Sequence, residues 1–422
     1  MSTFRQLKPA DVLFVGGETR NVYQHTAGLF MMDTRGKAGI SFEDFRTHTA
    51  ERLADIPQFR WKLHEVPLGL DLPYWVEDEQ FSFDHHIHRI AVPSPGDNRA
   101  LGEVVSHLYC HHLDRNKPLW ELWYIEGLAN GRCALLQKMH HCMMDGEGAS
   151  KLAEIIWDYK PRGARRKVDP AIANARPGQV PQQWQEAINA ARRLSGLPLR
   201  VTREISVAFW HGLSKRATRK GKPEKKPGAP RASFNADIGS DRGFVFGSLP
   251  LADILAIKNI LGVTVNDVVL ALVGGSLRDY LLAQGALPEQ SLRTSIAISL
   301  RKAGDDDFSN KVTVAAVTLA TNTADPAERI RAIAQESAAA KQEARSGGKG
   351  VLEFMQMLPP LLVNALVRGA PADKVAEIMG VNVVVSNVRG SPKPMYIAGT
   401  RINAVYPMSI ISPGGGLNIT CF

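Results

Sequence analysis

Two adjacent histidines, His140 and His141, begin a heptapeptide whose residue types could support acyl transfer. The pattern is HHxxxDG, with Asp145 and Gly146 as its last two residues. Two other His-His pairs occur in the chain, but neither is followed by this pattern. A neutral imidazole can remove the proton from a hydroxyl or thiol while that group attacks an acyl carbonyl. The motif therefore predicts a general base in this part of the chain.

The aspartate and glycine of the motif can serve that base in two ways. A general base presents one ring nitrogen to the substrate while a hydrogen bond fixes the other nitrogen. Asp145 could supply this bond to His141 directly, or it could form an ion pair that shapes the loop. The spacing and Gly146, which permits a tight turn or a close backbone approach, favour the loop-shaping role.

Three other interpretations of the motif have less support. A single histidine in such a position is usually a core residue, here beside an Asp-Gly turn. The complete HHxxxDG pattern favours a functional site instead. A zinc site is disfavoured because the motif contains no HExxH sequence, and because adjacent histidines on an extended chain point to opposite faces. A nucleophilic role for Cys142 is disfavoured because neither a GxSxG nor a papain-like sequence surrounds it. We therefore expect Cys142 to be a small buried residue.

The element that must position the histidines is a strand that ends just before them. Apolar residues in the segment 134–139 predict this strand, which places the motif where a strand runs into a loop. Around it, we expect an extended segment at residues 12–14, helices at 42–53 and 101–113, and a strand at 119–125. The second half of the chain repeats the mixture, with a long apolar helix at 265–284. The interleaving predicts a mixed α/β (α+β) fold in both halves.

Positive charge is concentrated in one segment. The 422 residues carry a net charge of +9, with ordinary globular proportions of 44% hydrophobic and 22% charged residues. Residues 160–231 contain 18 Lys and Arg against four acidic residues, so this segment is +14 and the rest of the chain is −5. We therefore divide the chain into residues 1–160, a basic helical crossover with a flexible linker at 161–232, and residues 233–422.

The basic crossover contains two predicted helices, residues 181–197 and 202–218. Phe209 and Trp210 belong to an apolar stripe on the second helix, which either packs on the protein's own core or contacts a lipid surface. A nucleic-acid partner has less support, because the segment has few aromatic residues for stacking and no recognition motif.

The four cysteines lack CxxC pairing, which favours a reducing compartment. The N-terminus lacks the pattern of a signal peptide, and the longest apolar runs are too short to span a bilayer. We expect a cytoplasmic protein, with peripheral contact to the inner face of the membrane or to lipid bodies.

Together, these features resemble the bacterial wax ester synthase/diacylglycerol acyltransferase family, within the chloramphenicol acetyltransferase-like superfamily of CoA-dependent acyltransferases. HHxxxDG alone is shared with condensation domains and chloramphenicol acetyltransferases. PLW, which ends at Trp120, and the Asn-Asp pair that begins with Asn266 are more specific to the lipid-making family. The matching segments are residues 7–11, 113–120, 140–146, 265–267, 299–301 and 386–390.

The resemblance implies two similar subdomains around a substrate tunnel, with His141 as general base. A fatty acyl group would pass directly from acyl-CoA to diacylglycerol or a long-chain alcohol, without an acyl-enzyme. Asp145 would be structural, and Asn266 and Asn387 would lie close to the tunnel. Asn266 could instead be a helix N-cap, and Trp120 a packing residue rather than a substrate contact. No metal and no cofactor are implied, since acyl-CoA is a substrate.

Two departures and two rival functions accompany the resemblance. The family usually has proline at the position of Arg389, and its members usually continue beyond the equivalent of Phe422. We expect residues 417–422 to begin a strand, and a short end to cost stability by exposing apolar surface. The rivals are an acyltransferase that uses a carrier-protein thioester, and a lipid-surface binding protein of the same fold without activity.

Overall fold

The computed structural model describes residues 5–33, 40–143, 157–161, 174–196, 228–299, 312–345, 358, 360–362, 365 and 380–422. Within these residues, helices and strands are interleaved along the chain. The helices are α1 Pro9–Gly17, α2 Phe42–Leu53, α3 Asn98–Tyr109, α4 Gln183–Ser195, α5 Leu251–Leu261, α6 Val265–Ala283 and α7 Pro326–Arg345. The strands are β1 His25–Asp33, β2 Trp61–His64, β3 Tyr74–Glu77, β4 Ile87–Ala91, β5 Trp120–Glu126, β6 Ala134–His140, β7 Arg293–Ser299, β8 Val312–Thr318, β9 Val383–Asn387, β10 Met395–Ile397, β11 Thr400–Met408 and β12 Asn418–Cys421.

A six-stranded sheet in the order β10-β11-β1-β6-β5-β4 carries the histidine motif. Strands β6 and β1 are antiparallel neighbours, and His140 lies opposite His25. On its other side, β1 pairs with β11, which belongs to the second half of the chain. The predicted boundary at residue 233 therefore divides the sequence but not this sheet, because residues 395–408 complete the sheet that the first 160 residues begin.

Both faces of this sheet are buried, and this explains its continuous apolar runs. Phe30 of β1 and Leu135 of β6 belong to one core cluster, together with Phe45 of α2. Their sequence neighbours, Leu29 and Leu136, point the other way and pack with Leu101 and Val105 of α3. Successive strand residues alternate between the two faces of a sheet, so a strand that is covered on both faces needs apolar residues at both odd and even positions.

The second sheet has the order β12-β9-β7-β8 and packs against α6 and α7. Leu270 and Leu277 of α6 and Ile333 of α7 form its core with Val383 and Val385 of β9. The expected strand near residue 417 is confirmed, since β12 pairs in parallel with β9. Leu417 and Ile419, two residues apart, both pack on this core.

The extended segment expected at residues 12–14 is wrong, because these residues lie inside α1. Pro9 occupies the start of the helix, where its missing N–H costs nothing, and Asp11 is in the first turn. Val12 and Val15, three residues apart, are buried on one face of this helix. A run of three apolar residues fits a strand and a buried helix equally well. The helix-start signals, Pro9 and Asp11, decide in favour of the helix.

The crossover is described in part. Its first predicted helix is confirmed as α4, while the second, with Phe209 and Trp210, lies outside the described residues. Among the helices that are described, none is by itself both long and apolar enough to cross a membrane. Taken as a pair, α5 and α6 reach that length and composition, but they bend by 106° where they meet.

Candidate functional site

The predicted position of the histidines at the end of a strand is confirmed. Strand β6 ends at His140, and a short 3₁₀ turn, His141–Met143, follows it. The backbone N–H of His140 donates to the Leu119 carbonyl at 2.9 Å, and that of His141 donates to the Gln24 carbonyl at 2.8 Å. These bonds fix the backbone of both histidines. The last two residues of the motif, Asp145 and Gly146, lie outside the described residues.

The His141 ring is partly exposed and stacks on the ring of Phe14. The two ring centroids lie 3.8 Å apart, and the planes meet at 17°. Nδ1 of His141 is buried and makes no hydrogen bond of good geometry within the described part of the chain. Burial lowers the pKa of His141 below its ordinary value of 6.5, and the ring's own backbone carbonyl opposes the shift. At neutral pH this imidazole is therefore unprotonated and able to accept a proton.

His140 occupies the opposite side of the strand end and is only 1% exposed. Its Nδ1 accepts the backbone N–H of Cys142 at 3.2 Å, and the Cys142 thiol lies 2.9 Å from the same atom. The proton of the neutral ring is then on Nε2, which lies 3.9 Å from a carboxylate oxygen of Glu18. Burial lowers the pKa of His140 to about 4. These contacts hold the turn in place and leave His140 with no open side.

Cys142 is buried, as the sequence predicts for a small packing residue. Burial raises the pKa of its thiol well above the ordinary value. A thiol in this state is a poor nucleophile, because the thiolate is the reactive form.

The end of helix α1 is bonded to Arg115, which belongs to the segment that ends in PLW. Its Nη2 donates to the Val15 carbonyl at 2.6 Å, near the end of α1. Its Nε donates to Glu18 at 3.1 Å, and Nη1 donates to Glu65 at 3.0 Å. A planar guanidinium presents five N–H donors in a fixed fork and can make all these bonds at once. Arg115 thereby places α1, and with α1 the Phe14 ring that covers His141.

A buried polar cluster lies beneath the two central strands. His25 is fully buried, and its Nε2 donates to the Tyr109 carbonyl at 2.9 Å, while the Tyr109 hydroxyl donates to the His25 carbonyl at 2.7 Å. The ammonium group of Lys138 donates to the carbonyls of Leu108 at 3.2 Å and His111 at 2.5 Å. Burial lowers the pKa of Lys138, and burial together with Lys138 lowers the pKa of His25. These bonds join the end of α3 to the strands that carry the motif.

The remaining predicted site residues lie in three different settings. Trp120 is 1% exposed; its indole N–H donates to the Phe59 carbonyl at 2.8 Å, and its ring stacks on His86. These are the contacts of a packing residue. Asn387 ends β9 and is exposed. Asn266 is partly buried near the start of α6. No hydrogen bond joins either asparagine side chain to His141 among the described residues.

The alternative that Asn266 is a helix N-cap is wrong. The N-cap of α6 is Thr264, whose hydroxyl accepts the backbone N–H of Asp267 at 3.3 Å. The Asp267 carboxylate in turn accepts the Thr264 backbone N–H at 2.9 Å, which completes a capping box. The sequence carries this signal as a threonine followed three residues later by an aspartate. Asn266 is free of the capping role.

Sequence reasoning missed two residues that shape the site, Phe14 and Arg115. Pro9 and Asp11 are the helix-start signals that could have placed Phe14 on a helix. Arg115 lies inside a segment that we singled out only for its PLW element, and nothing local to the sequence indicates its partners. In the described part of the chain, no three His, Cys, Asp or Glu side chains come together as metal ligands would.

Comparison with known proteins gives family matches over most of the chain. Residues 7–269 match the model of the wax ester synthase/diacylglycerol acyltransferase catalytic domain, and residues 308–422 match the model of the C-terminal domain of the same family. A protein of Mycobacterium tuberculosis that is named as a diacylglycerol O-acyltransferase is 30% identical over 99% of this chain and 83% of its own length. A second one, also so named, is 33% identical over 98% of this chain and 90% of its own length.

Solved structures of similar fold include a wax ester synthase/diacylglycerol acyltransferase from Marinobacter aquaeolei VT8. It is 29% identical, with a TM-score of 0.68 over 99% of this chain and 90% of that protein. The first condensation domain of the calcium-dependent antibiotic synthetase is 14% identical, with a TM-score of 0.52 over 99% of this chain and 87% of that domain. The second similarity shows a shared fold.

Proposed function

This chain belongs to the wax ester synthase/diacylglycerol acyltransferase family, and we propose that it transfers a fatty acyl group from acyl-CoA to the hydroxyl of diacylglycerol or of a long-chain alcohol. The observation that carries the proposal is the position of His141, which is partly exposed at the end of β6, stacked on Phe14 and within the motif that the family match covers. Burial lowers the pKa of its imidazole, which favours the neutral form that a base needs. The products are triacylglycerol or a wax ester, together with free CoA.

The proposed reaction needs one base that acts twice. His141 takes the proton of the acceptor hydroxyl as its oxygen attacks the carbonyl carbon of the thioester. The new C–O bond forms, the C–S bond breaks, and the CoA sulfur leaves with the electron pair. The protonated His141 then returns the proton to that sulfur. No acyl-enzyme forms, which agrees with a buried Cys142 whose pKa is raised.

The surroundings of His141 support this role. The backbone carbonyl of His141 itself favours a proton on the buried Nδ1, which leaves the lone pair of Nε2 for the acceptor hydroxyl. Phe14 lies face to face with the ring, and an aromatic face attracts the cation that forms during the reaction. His140 and Arg115 act as positioning residues, because they hold the turn and α1.

The other site assignments are part of the same proposal. Asp145 shapes the loop after His141, and Gly146 permits its turn. Asn266 and Asn387 line the tunnel through which the acyl chain and the acceptor reach His141. Acyl-CoA is a substrate, and the reaction uses no metal and no bound cofactor.

The acceptor also determines where the enzyme works. Diacylglycerol and long-chain alcohols reside in membranes and lipid bodies, so we propose a cytoplasmic protein in peripheral contact with such surfaces. The +14 segment of residues 160–231 supports this, because anionic lipid headgroups attract clustered Lys and Arg.

The experiment that tests the function is release of free thiol from palmitoyl-CoA in the presence of hexadecanol or dioleoylglycerol. We expect thiol release that requires an acceptor, and kcat/KM that rises with pH and levels off above a midpoint below 6.5, since the base must be unprotonated. Absence of turnover with both acceptors would favour the inactive lipid-binding alternative. Turnover only with a carrier-protein thioester would favour the condensation-type alternative.

A further inference from the structure

Lys138 is a fully buried lysine on β6, two residues before His140. Since successive side chains of a strand alternate, Lys138 points to the same side of the sheet as His140. Burying a charge costs free energy that an apolar side chain of similar volume does not cost. A positive charge at this position is therefore explained by bonds that an apolar residue cannot make.

The ammonium group of Lys138 has one partner for each of its three N–H donors. Two partners are backbone carbonyl oxygens, that of Leu108 at 3.2 Å and that of His111 at 2.5 Å. The third is a carboxylate oxygen of Glu121 at 3.5 Å, on the neighbouring strand β5. Helix α3 ends at Tyr109, so the charge lies at the end of a helix, where the helix dipole favours a cation. A methionine at position 138 would leave both carbonyl oxygens without this donor.

The chain that follows α3, residues 110–119, leads from this helix to β5, and we call it the connecting segment. Near its start, it is bonded to β6 through the His111 carbonyl and the side chain of Lys138. At its end, it is bonded to β6 through the Leu119 carbonyl, which accepts the backbone N–H of His140 at 2.9 Å. Two residues of β6 therefore hold both ends of the connecting segment, and one of the two bonds depends on the Lys138 side chain.

The connecting segment in turn holds α1. Arg115 donates to the Val15 carbonyl at 2.6 Å and to the Glu18 carboxylate at 3.1 Å. The His112 ring is bonded to the same carboxylate at 3.1 Å. One core cluster also contains apolar residues of both elements, namely Val12 and Val15 of α1 and Leu113 and Leu119 of the connecting segment. The position of α1, and of Phe14 on it, therefore follows the position of the connecting segment.

Phe14 is the residue through which these contacts reach the site. Its ring lies face to face with the ring of His141, with the centroids 3.8 Å apart and the planes at 17°. His141 follows directly on the last residue of β6, whereas Phe14 belongs to α1. The two stacked rings thus belong to different elements, and the bonds of Lys138 connect the strand of one ring to the segment that holds the other.

We propose that Lys138 is a positioning residue for the acyl transfer: by fixing the connecting segment, it sets the place at which α1 lays the Phe14 ring on the His141 imidazole. Lys138 acts through these elements and does not touch the substrate. The proposal rests on the proposed function, because the orientation of His141 matters for turnover only if His141 is the base. Misplacement of a catalytic group lowers the rate even when the fold is kept.

The first test is spectroscopic and compares Lys138→Met with the native chain. The measurement is the NMR signal of the His141 ring in protein with isotope-labelled histidine, and His141→Ala identifies this signal by its absence. Ring protons that lie over an aromatic face resonate upfield, so Phe14→Leu gives the position of the signal without the stacking. We expect Lys138→Met to move the His141 signal most of the way to its position in Phe14→Leu.

The second test is kinetic, with kcat and KM for palmitoyl-CoA measured per folded molecule and well below the thermal midpoint. We expect Lys138→Met to lower kcat by about ten- to hundredfold and to change KM by less than about twofold. A loss of stability alone would leave both the kcat of each folded molecule and the His141 signal unchanged. The matched control is Lys62→Met, which removes a partly buried lysine of β2 that is bonded to Asp78 at 3.1 Å. Its kcat and its His141 signal should be native.

A folded Lys138→Met variant with a native His141 signal and a native kcat would overturn the proposal. If this variant does not fold, Lys138→Gln takes its place, because its side chain is uncharged and shorter by one bond but keeps two N–H donors. We expect smaller changes in the same directions, and native values of both quantities would again overturn the proposal. A signal displaced by Lys138→Met, together with a native chain that releases no thiol, would refute the catalytic proposal alone.

Discussion

The two sides of the end of β6 carry the same side chain in different surroundings. On one side, His140 is enclosed, bonded to Cys142 and close to Glu18. On the other side, His141 is partly exposed beneath the Phe14 ring. Burial lowers the pKa of both rings, so a shifted pKa alone does not identify the base. Exposure distinguishes them, and this difference follows from the alternation of side chains at the end of a strand.

The largest expected effect comes from His141→Ala. We expect kcat to fall by about 10² to 10⁴, the usual contribution of a positioned general base. Thiol release from palmitoyl-CoA is the measurement, and circular dichroism with the thermal midpoint shows whether the fold is kept. His140→Ala is the matched variant on the enclosed side, and its loss of turnover should be smaller. A well-folded His141 variant with near-native turnover would show that His141 is not the general base.

The contribution of His140, on the enclosed side, should appear in the pH dependence of the free energy of unfolding rather than in the turnover rate. The pKa of His140 is about 4 in the folded chain, against 6.5 when it is unperturbed. The unfolded chain therefore binds the proton first, and stability falls as the pH drops from 6.5 to 4, by about 3 kcal/mol from this group. Below pH 4 both states are protonated, so this contribution changes no further.

His140→Asn checks that expectation, because an amide oxygen can accept the Cys142 N–H but does not titrate. Urea unfolding of the native chain and of this variant should give free energies whose difference shrinks as the pH falls from 6.5 to 4. Parallel curves for the two proteins over this range would show that His140 is protonated in the folded chain as easily as in the unfolded one.

A smaller effect is expected from Phe14→Leu on the exposed side. The variant keeps an apolar side chain but removes the aromatic face on which the imidazolium would form. We expect turnover to fall by about two- to tenfold, and the acid limb of kcat/KM to move to lower pH, because the cation loses a stabilising contact. The control is Phe59→Leu, which changes a buried ring on Trp120 and should lower stability without moving the acid limb. An unmoved limb in both variants would mean that the stacking is only packing.

Sequence patterns predicted the parts of this fold that depend on local periodicity. The helix at residues 42–53 has an apolar repeat, and the strand before the histidines has a short apolar run. The patterns failed where distant segments decide the outcome. Whether α1 is a helix depends on its packing against the turn that follows β6, and the partners of Arg115 lie 50 residues or more away.

The orientation of α4 could not be predicted for a related reason. Its sequence repeat shows two faces, but a repeat does not say which face the protein buries. Three partners on other segments, His64, Asp71 and Tyr74, reverse the usual orientation by binding its polar residues. The sequence gives no local sign of these pairs.

The position of β1 between β6 and β11 has a consequence for the order of folding on the ribosome. Its register with β6 is available early, whereas its other neighbour, Thr400–Met408, is among the last segments to be synthesised. Until then, β1 is a long apolar edge with unpaired backbone groups, the kind of surface at which strands of other chains add. Translation pauses or truncations before residue 400 should therefore favour aggregation, and late closure of this sheet should make folding slow.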